Sequence, residues 1–221
     1  MTWLMRNWDQ VLLGLYEHIV ISLSALVIAF VLAFAIGLWA ARRETVYQAA
    51  LAISGFLYTI PTLAFLALMI PIVGLGKANA IIVMVCFSLL ILIRNIATGI
   101  RGAPAEVVDA ARGMGMSGAQ ILWKVEVPLA LPVIVAGMRI AAVTVISVSV
   151  VAAYIGAGGL GTLIFNGISN DHTPKIWAGA LTACALAVIV DLSLAAVERR
   201  LQRRVREAST AHPGGMDGDR Q

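Results

Sequence analysis

The residues of this chain whose types and spacing could do chemistry point to recognition of a partner, not to bond making. Asp109-Ala110-Ala111 is followed by Gly115 and then by Val125-Glu126-Val127-Pro128, in a polar segment between long apolar runs. This spacing predicts a short helix, a turn at Gly115 and the first turn of a new helix at Pro128. Ala110 and Ala111 offer a small, strongly helical surface that a partner groove can approach closely. Gly115 can end that helix in a backbone conformation that other residues adopt at a cost. The plainer reading is an amphipathic inter-helix loop, which the first triplet alone would fit. The glycine and the distal Val-x-Val-Pro, both in register, favour a docking surface.

No constellation for catalysis accompanies it. His18, His172 and His212 sit far apart, and no Ser/His/Asp, Cys/His or metal-ligand spacing occurs. Cys86 and Cys184 fall inside apolar runs and read as packing residues. We expect no catalytic residue, no metal and no cofactor bound by this chain. No carboxylate lies near the middle of an apolar run, and Asp191 is the deepest. That absence argues against a proton-coupled carrier, which usually needs an intramembrane acidic relay. Arg94-Asn95 and Arg139 interrupt apolar runs; snorkelling or structural pairing leads for both arginines, ahead of contact with a solute.

The elements that position these residues are membrane helices. The chain has 221 residues, is 60% hydrophobic and 13% charged, and has a mean hydropathy of +0.91. Those values exclude an ordinary soluble domain. The net charge of +4 does not indicate nucleic acid, because the basic residues collect in short loops and the tail. Five runs are long enough to cross a bilayer as helix: residues 18–41, 46–72, 78–100, 131–155 and 176–197. The second holds Pro61 and Pro71 and is expected to be kinked or interrupted, as a pathway element or as a plain packing kink. Residues 1–17 form an amphipathic segment in which Trp3, Leu4, Trp8, Val11, Leu12 and Leu15 approximate one face, as in a helix lying in the outer interface. Residues 18–206 form the membrane domain, and 207–221 read as a disordered polar tail.

Arg42, Arg43, Arg101, Arg112, Lys124 and the arginines from Arg199 to Arg206 lie on one side; Arg6, Lys77 and Lys175 lie on the other. The positive-inside rule puts the N-terminus outside, the C-terminus in the cytoplasm and the Asp109 loop in the cytoplasm. Small polar residues in the spans (Tyr58, Thr59 and Thr62 in the second, Thr144 and Ser147 in the fourth) suit close helix packing first and a polar solute pathway second. Gly156-Ala157-Gly158-Gly159-Leu160-Gly161 lacks the Lys-Ser/Thr ending of a phosphate loop and reads as a tight turn or a gating hinge at the outer mouth.

The Asp109 segment resembles the cytoplasmic coupling (EAA) loop of ABC importer permeases, with Asp109 and Val127 replacing the usual Glu and Leu. Thr59-Ile60-Pro61-Thr62, Arg94-Asn95, Pro128-Leu129-Ala130-Leu131-Pro132 and the 156–161 glycines, taken with it, resemble the permeases of quaternary-ammonium osmoprotectant importers. The resemblance implies an all-α, five-span, type I ABC importer permease (MetI-like) fold in the cell membrane. It also implies separate ABC ATPase subunits, a second permease chain (same or paralogous) and an extracytoplasmic solute-binding protein. The solute would be glycine betaine, choline, carnitine or proline betaine. Methionine-type permeases are the nearest neighbours of this family, so an amino-acid importer is the alternative. A standalone channel or secondary carrier is the rival from another class.

Overall fold

The computed structural model describes residues 6–210, all of whose regular elements are helices. Four helices are long and apolar enough to cross a membrane: α1 (Trp8–Arg42), α4 (Lys77–Arg101), α6 (Gly118–Ile155) and α8, whose apolar part is Thr173–Val205. Helices α2 (Glu44–Thr59) and α3 (Thr62–Val73) are an apolar pair meeting at an angle of 100°, which brings the number of spans to five when the pair is counted as one broken span rather than as a re-entrant loop. Two short helices complete this set among the described residues, α5 (Ala105–Gly113) before α6 and α7 (Leu160–Ser169) before α8.

Helix α4 is the centre of the bundle. Val83, Met84, Leu92, Ile93 and Ile96 are all buried on it, packed by α1, α2, α3 and α6. Helix α1 reaches it with a stripe of small residues, Ala25, Ala29, Ala33, Gly37 and Ala40. Small side chains one turn apart let two backbones approach closely, which is how membrane helices associate where lipid is as apolar as leucine. A Cβ on Gly37 would come within 2.6 Å of Ile96. The outward faces of α1 (Leu23, Val27, Val31) and α8 (Leu181, Val188, Ile189, Leu192) are exposed and apolar, as lipid-facing surface must be.

The structure corrects the expected boundaries in several places. Helix α1 runs unbroken from Trp8, so residues 8–17 extend the first span and do not form a separate interfacial helix. The cause is packing: Val11 and Leu15 are covered by Leu160, Leu163 and Ala183. Trp3 and Leu4 lie outside the described residues. Helix α8 continues to Thr210, past the expected start of the tail at 207; residues 211–221 lie outside the described part. The chain there stays rich in helix formers, and its next proline is Pro213. Pro61 does more than kink the second span: it caps α3 at ψ 134°, and the chain turns through a corner. Pro71 sits in the last turns of α3, just before Gly74 ends it at φ +85°.

Pro128 falls in the first turn of the α-helix Val127–Ala152, as expected, but that helix continues an earlier one. Pro128 thus lies inside α6, which starts ten residues earlier at Gly118 and passes through a π turn at Leu122–Glu126. Proline lacks the N–H that would bond back one turn and crowds the carbonyl there. The wider π turn, in which the Val127 N–H reaches back to the Leu122 carbonyl, lets the rod continue.

Candidate docking loop and its supporting ion pairs

Helix α5, the turn at 114–117 and the start of α6 form a knob at the end of the bundle that also holds Arg42 and Arg101. Its turn is closed by a Schellman arrangement: the Gly115 N–H donates to the Arg112 carbonyl (3.0 Å) and the Met116 N–H to the Ala111 carbonyl (3.2 Å). Gly115 holds φ +79°, a left-handed conformation that costs any other residue about 1 kcal/mol or more. Ser117 then caps α6 in a reciprocal box with Gln120, and its Ser-x-x-Gln spacing is itself a sequence signal for a helix start.

The two alanines of the knob split. Ala110 is exposed beside Asp109, whereas Ala111 is buried within the chain. Asp109 pairs with Arg112 at 3.0 Å, but both side chains are exposed, so the pair adds little stability. Val107 and Met114 are exposed large apolar residues on the same knob. Val125 is half-buried in the π turn and Pro128 is exposed just beyond it.

Glu126, the variable position of the Val-x-Val-Pro pattern, holds the knob in place. Its buried carboxylate accepts from both terminal nitrogens of Arg42, at 3.0 and 2.5 Å. This two-pronged, charge-assisted contact joins the end of α1 to the π turn of α6. A hollow of about 460 Å³ opens beside it, lined by Arg42, Arg112, Met116, Gly118, Ile121 and Glu126 among others. Arg101 closes the same end of the bundle by donating to the Ala40 and Ala41 carbonyls of α1 and pairing with Glu44. Two arginines expected only to signal orientation are therefore structural clamps.

At the other end the glycine turn is fastened down. The Glu17 carboxylate accepts from the Gly159 N–H (3.0 Å) and from Lys77 (3.2 Å), and the Gly76 N–H donates to the Ile155 carbonyl. Gly158 and Gly159 have φ of +90° and +82°, and a Cβ on Gly158 would lie 2.6 Å from the Glu17 carboxylate. Glycine is needed here twice over, for conformation and for room. Gly161 is tighter still, because its Cβ would fall 2.1 Å from the Val150 carbonyl oxygen. Gly161→Ala is expected to destabilise the fold by about 1–3 kcal/mol, seen as a lower unfolding temperature of the purified chain in detergent.

The small polar residues of the spans are less clustered than the knob. Tyr58 and Thr59 end α2, Pro61 and Thr62 start α3, and Tyr58 sets its ring edge-on against Phe87 at 5.7 Å. Thr59, Thr144 and Ser147 each donate to a carbonyl of their own helix. Their hydroxyls are thus satisfied locally, and no hydrogen bond joins them to one another among the described residues.

Arg139 is paired, one of the two readings favoured for it. It donates to both Asp191 oxygens (2.8 and 3.0 Å) and to Glu198 (2.9 Å), tying α6 to α8 through one cation and two carboxylates.

Residues 33–206 match the family described as the binding-protein-dependent transport system inner membrane component. The chain is 38% identical to a carnitine transport permease of Listeria monocytogenes, over 94% of this chain and 95% of that one. It is 36% identical to a glycine betaine/carnitine/choline transport system permease of Bacillus subtilis, covering 91% and 93% of the two chains. An osmoprotectant import permease of Salmonella typhimurium is 38% identical over 80% of this chain and 84% of its own length. Among solved structures, an inward-facing MetNI methionine ABC transporter chain superposes with a TM-score of 0.78 at 22% identity, covering 89% of this chain and 98% of that one. At that identity the likeness concerns the fold alone.

Proposed function

Since this chain belongs to the inner membrane components of binding-protein-dependent transport systems, and is a multi-pass permease, we propose that it is the pathway subunit of an ATP-driven importer of a quaternary-ammonium osmoprotectant. The observation that carries the solute class is the run of relatives named for carnitine, glycine betaine and choline, matched over nearly the whole of both chains. The methionine alternative rests on likeness of fold alone.

In this reading a second permease chain, the same or a paralogue, completes the pathway. The exposed polar faces around Tyr58, Thr59, Pro61 and Thr144 turn toward it. Separate ABC ATPases grip the knob built from Asp109, Ala110, Ala111 and Gly115, and an extracytoplasmic binding protein delivers solute near Gly158 and Gly159. Closure of the ATPases on ATP moves the knob, and the knob moves the bundle. The test is uptake: deleting this chain should abolish import of glycine betaine, carnitine or choline at high osmolarity. If these stay unchanged while methionine import falls, the solute class is wrong.

Orientation follows the basic-residue asymmetry, with the N-terminus outside and the knob in the cytoplasm. Met116→Cys should react with an impermeant thiol reagent only in inverted vesicles, and His172→Cys only in intact cells. The reverse pattern would overturn the orientation.

A further inference from the structure

Helix α4 is walled in on nearly every side, and the half nearer Arg101 leaves only polar side chains open. Its Ile96 side meets Gly37 of α1. Asn95 and Gly99 meet Gly137 and Ala130 of α6. Leu90 meets Gly55 of α2, and Phe87 lies under Phe65 of α3 and Tyr58 at the bend. Between Asn79 and Ile100, only Ile82, Arg94 and Thr98 are exposed on this helix.

Arg94 and Thr98 are one turn apart and share a face with Phe87 above and Arg101 below. Phe87 is roofed by the α2–α3 bend, and Arg101 is engaged by α1 and Glu44. Arg94 therefore emerges in the strip between α2 and α6, beneath the bend. It is seven residues, or about 10 Å of helix, above Arg101.

This strip does not have the character of a lipid face. Where α1 and α8 face outward they expose leucine, valine and isoleucine, whereas the strip of α4 below Phe87 exposes an arginine and a threonine. Cations at such depth face a water-filled cavity or the bundle interior, because hydrocarbon penalises them by several kcal/mol. Arg94 makes no hydrogen bond or ion pair among the described residues. The carboxylates of the surrounding helices are taken: Glu44 by Arg101, Glu126 by Arg42, Asp191 and Glu198 by Arg139. No carboxylate of these helices is left to pair with this guanidinium, which leaves it open to water and to a solute.

We propose that Arg94 is a solute-binding residue of the cytoplasm-facing half of the pathway, where its fork takes the carboxylate of a betaine-type zwitterion. This rests on the osmoprotectant reading and narrows it to carboxylate-bearing solutes. A planar guanidinium matches a carboxylate with two parallel hydrogen bonds, which a lysine cannot reproduce. Its exposure to water keeps that contact weak enough for release.

The experiment measures glycine betaine and choline uptake by the assembled importer in proteoliposomes, with choline as the quaternary ammonium lacking a carboxylate. Arg94→Gln should lower the ratio of glycine betaine to choline uptake about tenfold, within the range for loss of a bidentate charged contact. Arg94→Lys should lower it less. Co-purification with the ATPase establishes that both variants assemble. An unchanged ratio, equal loss of both solutes, or a wild type that carries choline but not glycine betaine overturns the inference and leaves the osmoprotectant reading standing. If only glycine betaine is carried, its uptake should fall about tenfold in Arg94→Gln and distinctly less in Arg94→Lys; equal or absent effects overturn the inference. A wild type that carries neither solute overturns the osmoprotectant reading, and this inference with it.

Discussion

Gly115→Asp is expected to cut ATP-driven uptake about tenfold or more while ATP hydrolysis by the assembled complex continues, which is the size of a typical inter-site coupling. The substitution acts on two things at once. Gly115 sits at φ +79° in a Schellman turn, so any side chain strains the knob. Its Cβ would meet nothing of this chain within 4 Å, so the side chain projects outward, where the ATPase would lie. Folding and membrane insertion should therefore be close to normal, and the damage should fall on the contact. Gly113→Ala is the control, because Gly113 is equally open but lacks a positive φ. Uptake is compared with ATP hydrolysis in proteoliposomes at equal complex content. Wild-type uptake by intact Gly115→Asp complex would remove the docking assignment from this loop.

The second large effect concerns stability. Arg139→Leu leaves Asp191 and Glu198, two turns apart on α8, turned toward α6 without their shared cation. Removing the shared cation leaves two partly exposed carboxylates without their charge partner, which costs more than the intact group contributes. We expect several-fold less folded chain in membranes and a markedly lower unfolding temperature in detergent. Changing all three residues together, Arg139→Leu with Asp191→Leu and Glu198→Leu, should recover most of the loss, because no charge is then stranded. If the single variant is as stable as wild type, or the triple variant is no better than the single, the ion group is not what joins these helices.

What could be read from the sequence was what is local along it. Hydropathy located the spans, the proline at 61 marked the corner, and Asp109 to Gly115 marked a helix and its turn, because each depends on neighbours within a few residues. Span ends were misjudged where packing or capping decided them: α1 began earlier because α7 covers Val11 and Leu15, and α6 began earlier because Ser117 caps it. The ion pairs were out of reach for another reason. Arg42 and Glu126 are 84 residues apart, Arg139 and Asp191 are 52 apart, and Glu17 and Gly159 are 142 apart. Nothing in one sequence says which basic residue of a loop will turn inward to meet which acid. The pathway residues were the least legible, since hydroxyls that bond to their own helix look the same whether they face a neighbour or a solute.

Helix α6 carries one further mechanical consequence. It joins the docking knob at Gly118 to the glycine turn after Ile155 without a break, over 38 residues, or about 57 Å of rod. A rod clamped near one end behaves as a lever, and the Arg42–Glu126 clamp, eight residues from its start, is the natural fulcrum. A tilt of about 5° there, too small to break any helical hydrogen bond, would sweep the far end by roughly 4 Å at 1.5 Å of rise per residue. If the knob is where the proposed ATPase docks, the short arm receives its stroke and the long arm carries it to the glycine turn, so the geometry trades force at the knob for travel at the far end. The π turn lies in the short arm, at the fulcrum itself, so a stroke applied at the knob would reach the long arm only through that turn.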